Sequence, residues 1–147
     1  KDKEILVDES VKIILQEEGE FGLRDISTYL EFGKKIESLK KDVIKNIGTL
    51  KKKYSSIVGY GAPAKATTAL NFFNISKEID YIVEDNKLKH GKYIPGVNIK
   101  IVSKEEIKNK DQVILVLAWN FFDEIKKNNN NLSNNFISIK DLEKPQI

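Results

Sequence analysis

From Ile26 to Tyr54 the apolar residues fall three and four apart: Ile26, Tyr29, Leu30, Ile36, Leu39, Val43, Ile47, Leu50 and Tyr54. That period lays one stripe along roughly seven turns of helix, with Lys and Glu on the opposite face. The same stripe would suit a coiled-coil seam. A helix lying against a sheet or neighbouring helices is its more frequent use and is the expectation here. Asp25 or Ser27 stands where a helix start is capped. Upstream, Val11, Ile14 and Leu15 form a shorter periodic segment that ends in the turn-like Glu18-Gly19-Glu20-Phe21-Gly22.

After Ser55 the period changes. Ile57-Val58 ends a first strand, and Pro63 to Phe73 reads as a helix. Asp80 to Val83 is a second strand, and residues 87–98, with Gly91, Pro95 and Gly96, read as loop. Ile99 and Ile101 predict a short edge strand, and Ser103 caps a helical turn through Lys108. Val113 to Ala118 is apolar at every position, the mark of a parallel strand covered by helices on both faces. Phe121 to Lys127 should be helical, Asn128–Asn131 a turn or loop rather than a functional tract, and Phe136 to Ile139 the last strand. The order predicts an α/β fold, a Rossmann-like open parallel sheet of about five strands flanked by helices and preceded by a long N-terminal helix. Residues 1–54 are expected to pack as a helical segment on the sheet domain, 55–147, in one compact unit.

Composition narrows the class. A chain of 147 residues, 40% hydrophobic, buries one sizeable core. It contains no Met, which makes a piece of a longer protein the expectation. The lack of Cys excludes disulfides, thiolate metal sites and a cysteine nucleophile. The longest purely apolar run, Val113 to Trp119, is far short of the ~20 residues that span a bilayer. No signal sequence is visible either, so a cytoplasmic location and no membrane partner are expected. A net charge of +3 and a pI near 8.9 invite a nucleic-acid reading. Against it, Lys alternates with Glu and Asp, Arg24 is the single Arg, and no basic block forms.

The richest chemistry lies in Ile57-Val58-Gly59-Tyr60-Gly61-Ala62-Pro63-Ala64-Lys65. Strand, glycine turn and helix N-terminus together aim backbone N–H groups and a positive dipole end at a phosphate. A P-loop needs Gly before its Lys and Ser or Thr after it, and Ala64 and Ala66 stand there instead. A methyl-donor loop, Asp/Glu-x-Gly-x-Gly-x-Gly, fails at Ile57 and Pro63, so S-adenosylmethionine is not expected to bind here. The dinucleotide pattern is half met by Gly59, Gly61 and Ala64, with Asp85 at the end of the second strand where a ribose-binding acid belongs. The plainer alternative is that Gly59 and Gly61 only permit a tight turn. Lys65, Thr67 and Thr68 nevertheless add a charge and hydroxyls near the same helix end, with Asn71 one turn further on.

Trp119-Asn120 closes the central strand at its carboxyl end, where ligands bind in open α/β sheets. Glu84 and Asp85 are adjacent, so their side chains should diverge, and one binding a hydroxyl is the expected use. The sole His, His90, has no Cys or second His for a zinc site and no evident orienting partner, so a solvated loop residue is expected. No catalytic residue and no metal site are expected within the chain.

Gly59-Tyr60-Gly61-Ala62-Pro63-Ala64-Lys65, then Asp85-Asn86 with Lys89, Gly91 and Pro95-Gly96, then Leu115-Val116-Leu117-Ala118-Trp119-Asn120, together resemble the C-terminal domain of the nucleotide-sugar C-methyltransferase family. The long helix and its Gly22-Leu23-Arg24 approach are also similar, so the likeness covers most of the chain. It implies a parent with a zinc-binding N-terminal domain, a central S-adenosylmethionine-binding domain that transfers the methyl group, and this end domain enclosing a nucleotide-linked sugar. It further implies that Gly61 to Lys65 face the diphosphate and that Trp119 and Asn120 line the crevice. The expected binding set is thus Gly59, Gly61, Ala62, Pro63, Lys65, Thr67, Asp85, Trp119 and Asn120, with the missing domains as partners and no cofactor in this fragment. Ala66-Thr67 departs from the Gly and polar residue frequent in relatives, which sets the helix start further from a ligand. Two other readings fit the residues: a free-standing nucleotide- or coenzyme-A-binding module, and an assembly domain with a vestigial glycine loop.

Overall fold

Two strands without a charged side chain carry the sheet. In a computed structural model describing residues 7–108 and 110–144, β1 (Ile57–Tyr60) is buried at every position. β2 (Tyr81–Val83) and β3 (Ile101–Val102) follow. β4 (Val113–Val116) is again buried throughout, and β5 (Asn135–Ser138) ends the series. All pairings are parallel, in the order β3-β2-β1-β4-β5, with Gly59 opposite both Ile82 and Leu115. The alternation of a strand survives in what each residue touches. Ile57, Val113 and Leu115 join one core with Ile82, while Val58 and Tyr60 join another with Ile114 and Val116.

Helices cover both faces, as a parallel sheet requires. α1 (Glu9–Glu20) and α2 (Ile26–Lys53) come first, then α3 (Ala64–Phe73) and α4 (Phe122–Asn128). Val43, Ile47 and Leu50 of α2, with Ala66 and Leu70 of α3, pack on the first face, and Phe122 and Ile125 of α4 on the second. α3 ends on Asn74, whose left-handed φ of 54° stops the helix. The turn expected from Ser103 to Lys108 is a shorter 3₁₀ turn, Lys104–Glu106. Beside β3 the loop doubles back. The Ile101 N–H donates to the Lys92 carbonyl at 2.8 Å, its carbonyl accepts from Gly91 at 2.9 Å, and Tyr93 bridges Lys100 in antiparallel sense.

The chain divides into two units between Ser38 and Leu39. In the first, Asp8 caps α1 by accepting from Ser10 N–H at 2.9 Å, and the turn before α2 is tied by Thr28 to the Gly22 carbonyl and Tyr29 to the Leu23 carbonyl. α1 has no buried residue. The stripe of α2 is therefore used unevenly. Val43, Ile47 and Leu50 enter the sheet unit's core, whereas Ile26, Tyr29 and Leu30 are exposed.

Among the core positions of α2 stands one polar residue. Asn46 is 5% exposed and donates at 2.8 Å to the carbonyls of both Leu142 and Lys144, holding the last turn of the described chain on the helix. Asn46→Ala leaves the buried Leu142 carbonyl without that donor, and should lower stability by about 2–3 kcal/mol. Urea denaturation at neutral pH checks this, and a loss under 0.5 kcal/mol, the scale of a neutral surface change, would count against the clasp.

Candidate functional site

After β1 the chain crosses through α3 to one side of the sheet, and after β4 it crosses through α4 to the other. The carboxyl ends of these two neighbouring strands therefore part, at the point where open α/β sheets bind ligands. Here they leave a crevice of about 510 Å³ walled by Tyr60, Gly61, Pro63, Glu84, Asp85, Lys89, Lys104, Ala118, Phe121 and Asn129. The two glycines have separate duties. Gly59 lies inside β1, and a Cβ there would sit 2.7 Å from Ile82 Cγ1. Gly61 makes the turn, at φ +87°, where a Cβ would meet that of Ala118 at 2.8 Å. The turn thus belongs to Gly61, while Gly59 continues the strand that was expected to end at Val58.

The turn is held from within by a carboxylate. Glu84 Oε2 accepts the Ala62 N–H at 2.9 Å and the Lys89 ammonium at 3.1 Å, and Oε1 accepts the Asn86 N–H at 3.1 Å. Lys89 also donates to the Ala62 carbonyl at 3.0 Å. Burial pushes the Glu84 carboxyl up, but the Ala62 and Asn86 N–H groups and Lys89 outweigh it and hold the carboxyl below its ordinary value. His90 belongs to the same knot. Its Nε2 lies 2.6 Å from the Glu84 carbonyl oxygen, so that ring nitrogen is the donor. This corrects the expectation of a solvated loop histidine: the ring is half-buried and pinned to the end of β2.

On the other wall, the Tyr60 hydroxyl reaches both Asp85 oxygens, at 3.1 and 3.0 Å, and Lys104 approaches the same carboxylate at 3.5 Å. Burial, then the Asp85 bond and charge, raise the Tyr60 phenol far above its usual value, so it stays a donor at neutral pH. Asn129 is 5% exposed, with its amide on the Ile125 carbonyl at 2.8 Å, and lines the same crevice as Tyr60. Asp85 itself remains open to solvent at its outer edge.

Gly61, Pro63 and Asp85 thus meet at the crevice, and Ala62 stands behind it on Glu84. Lys65 and Trp119 meet each other instead, the ammonium lying 4.0 Å from the ring centroid. Trp119 lines a separate apolar groove of about 230 Å³ with Leu39, Val43, Phe73 and Ile139. Asn120 is exposed, and the Thr67 carbonyl receives Asn71, whose amide also holds the Pro95 carbonyl at 3.0 Å.

The family model for the C-terminal domain of C-methyltransferases matches residues 1–138. The chain belongs to this family. A curated relative, the C-methyltransferase NovU of Streptomyces niveus, is 30% identical over 121 residues, which is 81% of this chain and 29% of that protein.

Sequence reasoning missed several residues of this C-methyltransferase C-terminal domain: Tyr60, Lys104, Asn129 and the clasp role of Glu84. Tyr60 had a signal, since it shares the strand face of Val58 and so points toward α4. Lys104 and Asn129 come from distant segments and had none. Neither group implied for a parent methyltransferase fits this domain's own residues. The glycine loop lacks the acid and third glycine of a methyl-donor loop, and its anchoring N–H already carries a carboxylate. Zinc finds no thiolate in the chain, and among the described residues no three His, Cys, Asp or Glu gather.

Gly61→Ala should destabilise the domain by more than ~1 kcal/mol, since it combines a left-handed φ with contact on Ala118. A thermal melt reads this, and an unchanged midpoint would show that the turn can relax. A group held below its ordinary pKa stabilises the fold above the unfolded value and ceases to do so as pH falls through the folded one. Glu84 therefore supports the domain above its ordinary 4.5 and releases it in acid. Glu84→Gln should cost about 1–3 kcal/mol at pH 7 and much less at pH 3. Denaturant midpoints at the two pH values test this, and an equal loss at both would exclude the carboxylate's charge as the cause.

Proposed function

We propose that this domain holds a nucleotide-linked sugar for an S-adenosylmethionine-dependent sugar C-methyltransferase, and that another part of the parent protein transfers the methyl group. The observation that carries the reading is the crevice at the parting of β1 and β4, with Gly61 and Pro63 at the start of α3 on one side and the Asp85 carboxylate on the other, Lys65 following on the first turn of that helix. Asp85 is exposed and has spare acceptor capacity for a ligand hydroxyl, while Tyr60 and Lys104 fix its position. The diphosphate falls to the first turn of α3. Pro63 gives that helix no side-chain cap, and helix geometry leaves the N–H groups of Ala64 and Lys65 without intrahelical partners. With Ala62 bonded to Glu84, the charge for this contact comes from Lys65. Its ammonium rests on Trp119, a cation–π contact worth about 0.5–1 kcal/mol where water has access, weak enough to yield to a phosphate. Asn120, exposed beside it, is free to meet the same ligand.

Isothermal titration of the chain should show saturable binding of thymidine diphosphate and none of S-adenosylmethionine. Lys65→Ala should weaken the diphosphate by about 1–3 kcal/mol, roughly 5- to 150-fold, the worth of a charge-assisted contact. Equal affinity in the variant would remove Lys65 from the site, and micromolar binding of S-adenosylmethionine would overturn the division of labour.

A further inference from the structure

We propose that the apolar face of α1 and the opening turns of α2 is the seat of the rest of the parent polypeptide, the part that precedes this C-terminal domain. The inference rests on family membership and is independent of the nucleotide-sugar reading.

α1 is a 12-residue helix with a proper N-cap and no buried residue. Helices of about that length are marginal in water unless an apolar face finds a partner. Val11, Ile14 and Leu15 lie on one such face, each 43–53% exposed. Phe21, Ile26, Tyr29, Leu30 and Phe32 follow, exposed by 56–77%. Among the described residues beyond Ser38 the large exposed apolar side chains are scattered singly, at Ile44, Phe72, Leu88, Tyr93 and Phe121, which is the ordinary state of a surface. Between residues 11 and 32 they instead recur every few residues, and exposed apolar surface at that density marks an interaction site. A cavity of about 550 Å³ opens at the turn after α1 and the start of α2, beside Phe21, Leu23, Tyr29 and Phe32, wide enough for a large side chain of a partner.

Charge narrows the partner. α1 carries Glu9, Glu17, Glu18 and Glu20 against Lys12 alone. Helices that lie on membranes are rich in Lys and Arg on the polar face, and anionic headgroups repel this one. Length then names the occupant. This chain corresponds to 29% of its relative, so most of such a protein lies outside the match. A covalently attached neighbour acts at an effective concentration near the millimolar range, and it covers an apolar face before a second copy at micromolar concentration does.

Hydrogen–deuterium exchange, run on the complete parent protein and on the 147-residue chain at equal concentration, tests this. Amides of residues 9–20 should exchange at least ~100-fold more slowly in the complete protein, as a docked helix does. Leu15→Glu in the complete protein should return them to fast exchange while the β1 and β4 amides stay protected. Equal rates in the two proteins overturn the proposal. So does slow exchange in the 147-residue chain accompanied by concentration-dependent sedimentation, which assigns the face to a second copy.

Discussion

The backbone crowding around β1 is the constraint on which the rest depends. β1 pairs with a parallel strand on either side and is buried on both faces, so nothing along it can be enlarged. At Gly59 the space belongs to Ile82 and Leu117, and at Gly61 to Ala118. Because β2 and β4 close in so tightly, the chain leaves β1 through a left-handed glycine, and α3 must begin where it does. The Gly-x-Gly pair is first a packing requirement. Ligand access follows from it, since the backbone that packs without side chains is also the backbone a ligand can approach.

Much of this was legible in the residues. Runs such as Val113 to Ala118, apolar at every position, signal a strand covered on both faces, and helices between them leave a parallel sheet as the natural arrangement. The edges of elements were less legible. Gly59 was expected in the turn because paired glycines let a backbone turn sharply, yet here two neighbouring side chains take the place of a Cβ and keep it in the ladder. The candidate site was half visible. Gly61, Pro63 and Asp85 follow from local pattern, but the Glu84 bond to the Ala62 N–H joins residues 22 apart. His90 escaped because its partner is a backbone carbonyl, which has no letter in a sequence. Asn129 sat in an asparagine run that composition alone marks as loop.

The carboxylate inside the turn alters what recognition here means. A glycine turn that ends a strand usually presents its N–H groups to a ligand's phosphate. This one has an internal anion, Glu84, with Lys89 as its counter-ion and His90 bracing the same residue from behind. The turn is thereby shaped before any ligand arrives, and its geometry is carried by side chains of the β2 end rather than by the ligand. The cost is one fewer backbone donor. The positive side chains in the crevice wall are Lys89 and Lys104, while Lys65 on the helix rests on an indole face.

The strap beside β3 has a consequence of another kind. An open sheet ends in an unpaired row of N–H and C=O groups, which is a template for joining further chains. Here the outermost strand is only two residues long, and the Ile101 N–H and carbonyl are both taken by the returning loop at Lys92 and Gly91. With Tyr93 bridged to Lys100 alongside, that border offers no ladder to extend. A protein so finished resists growing into fibrils strand by strand from this border, and whatever it assembles with must meet it elsewhere.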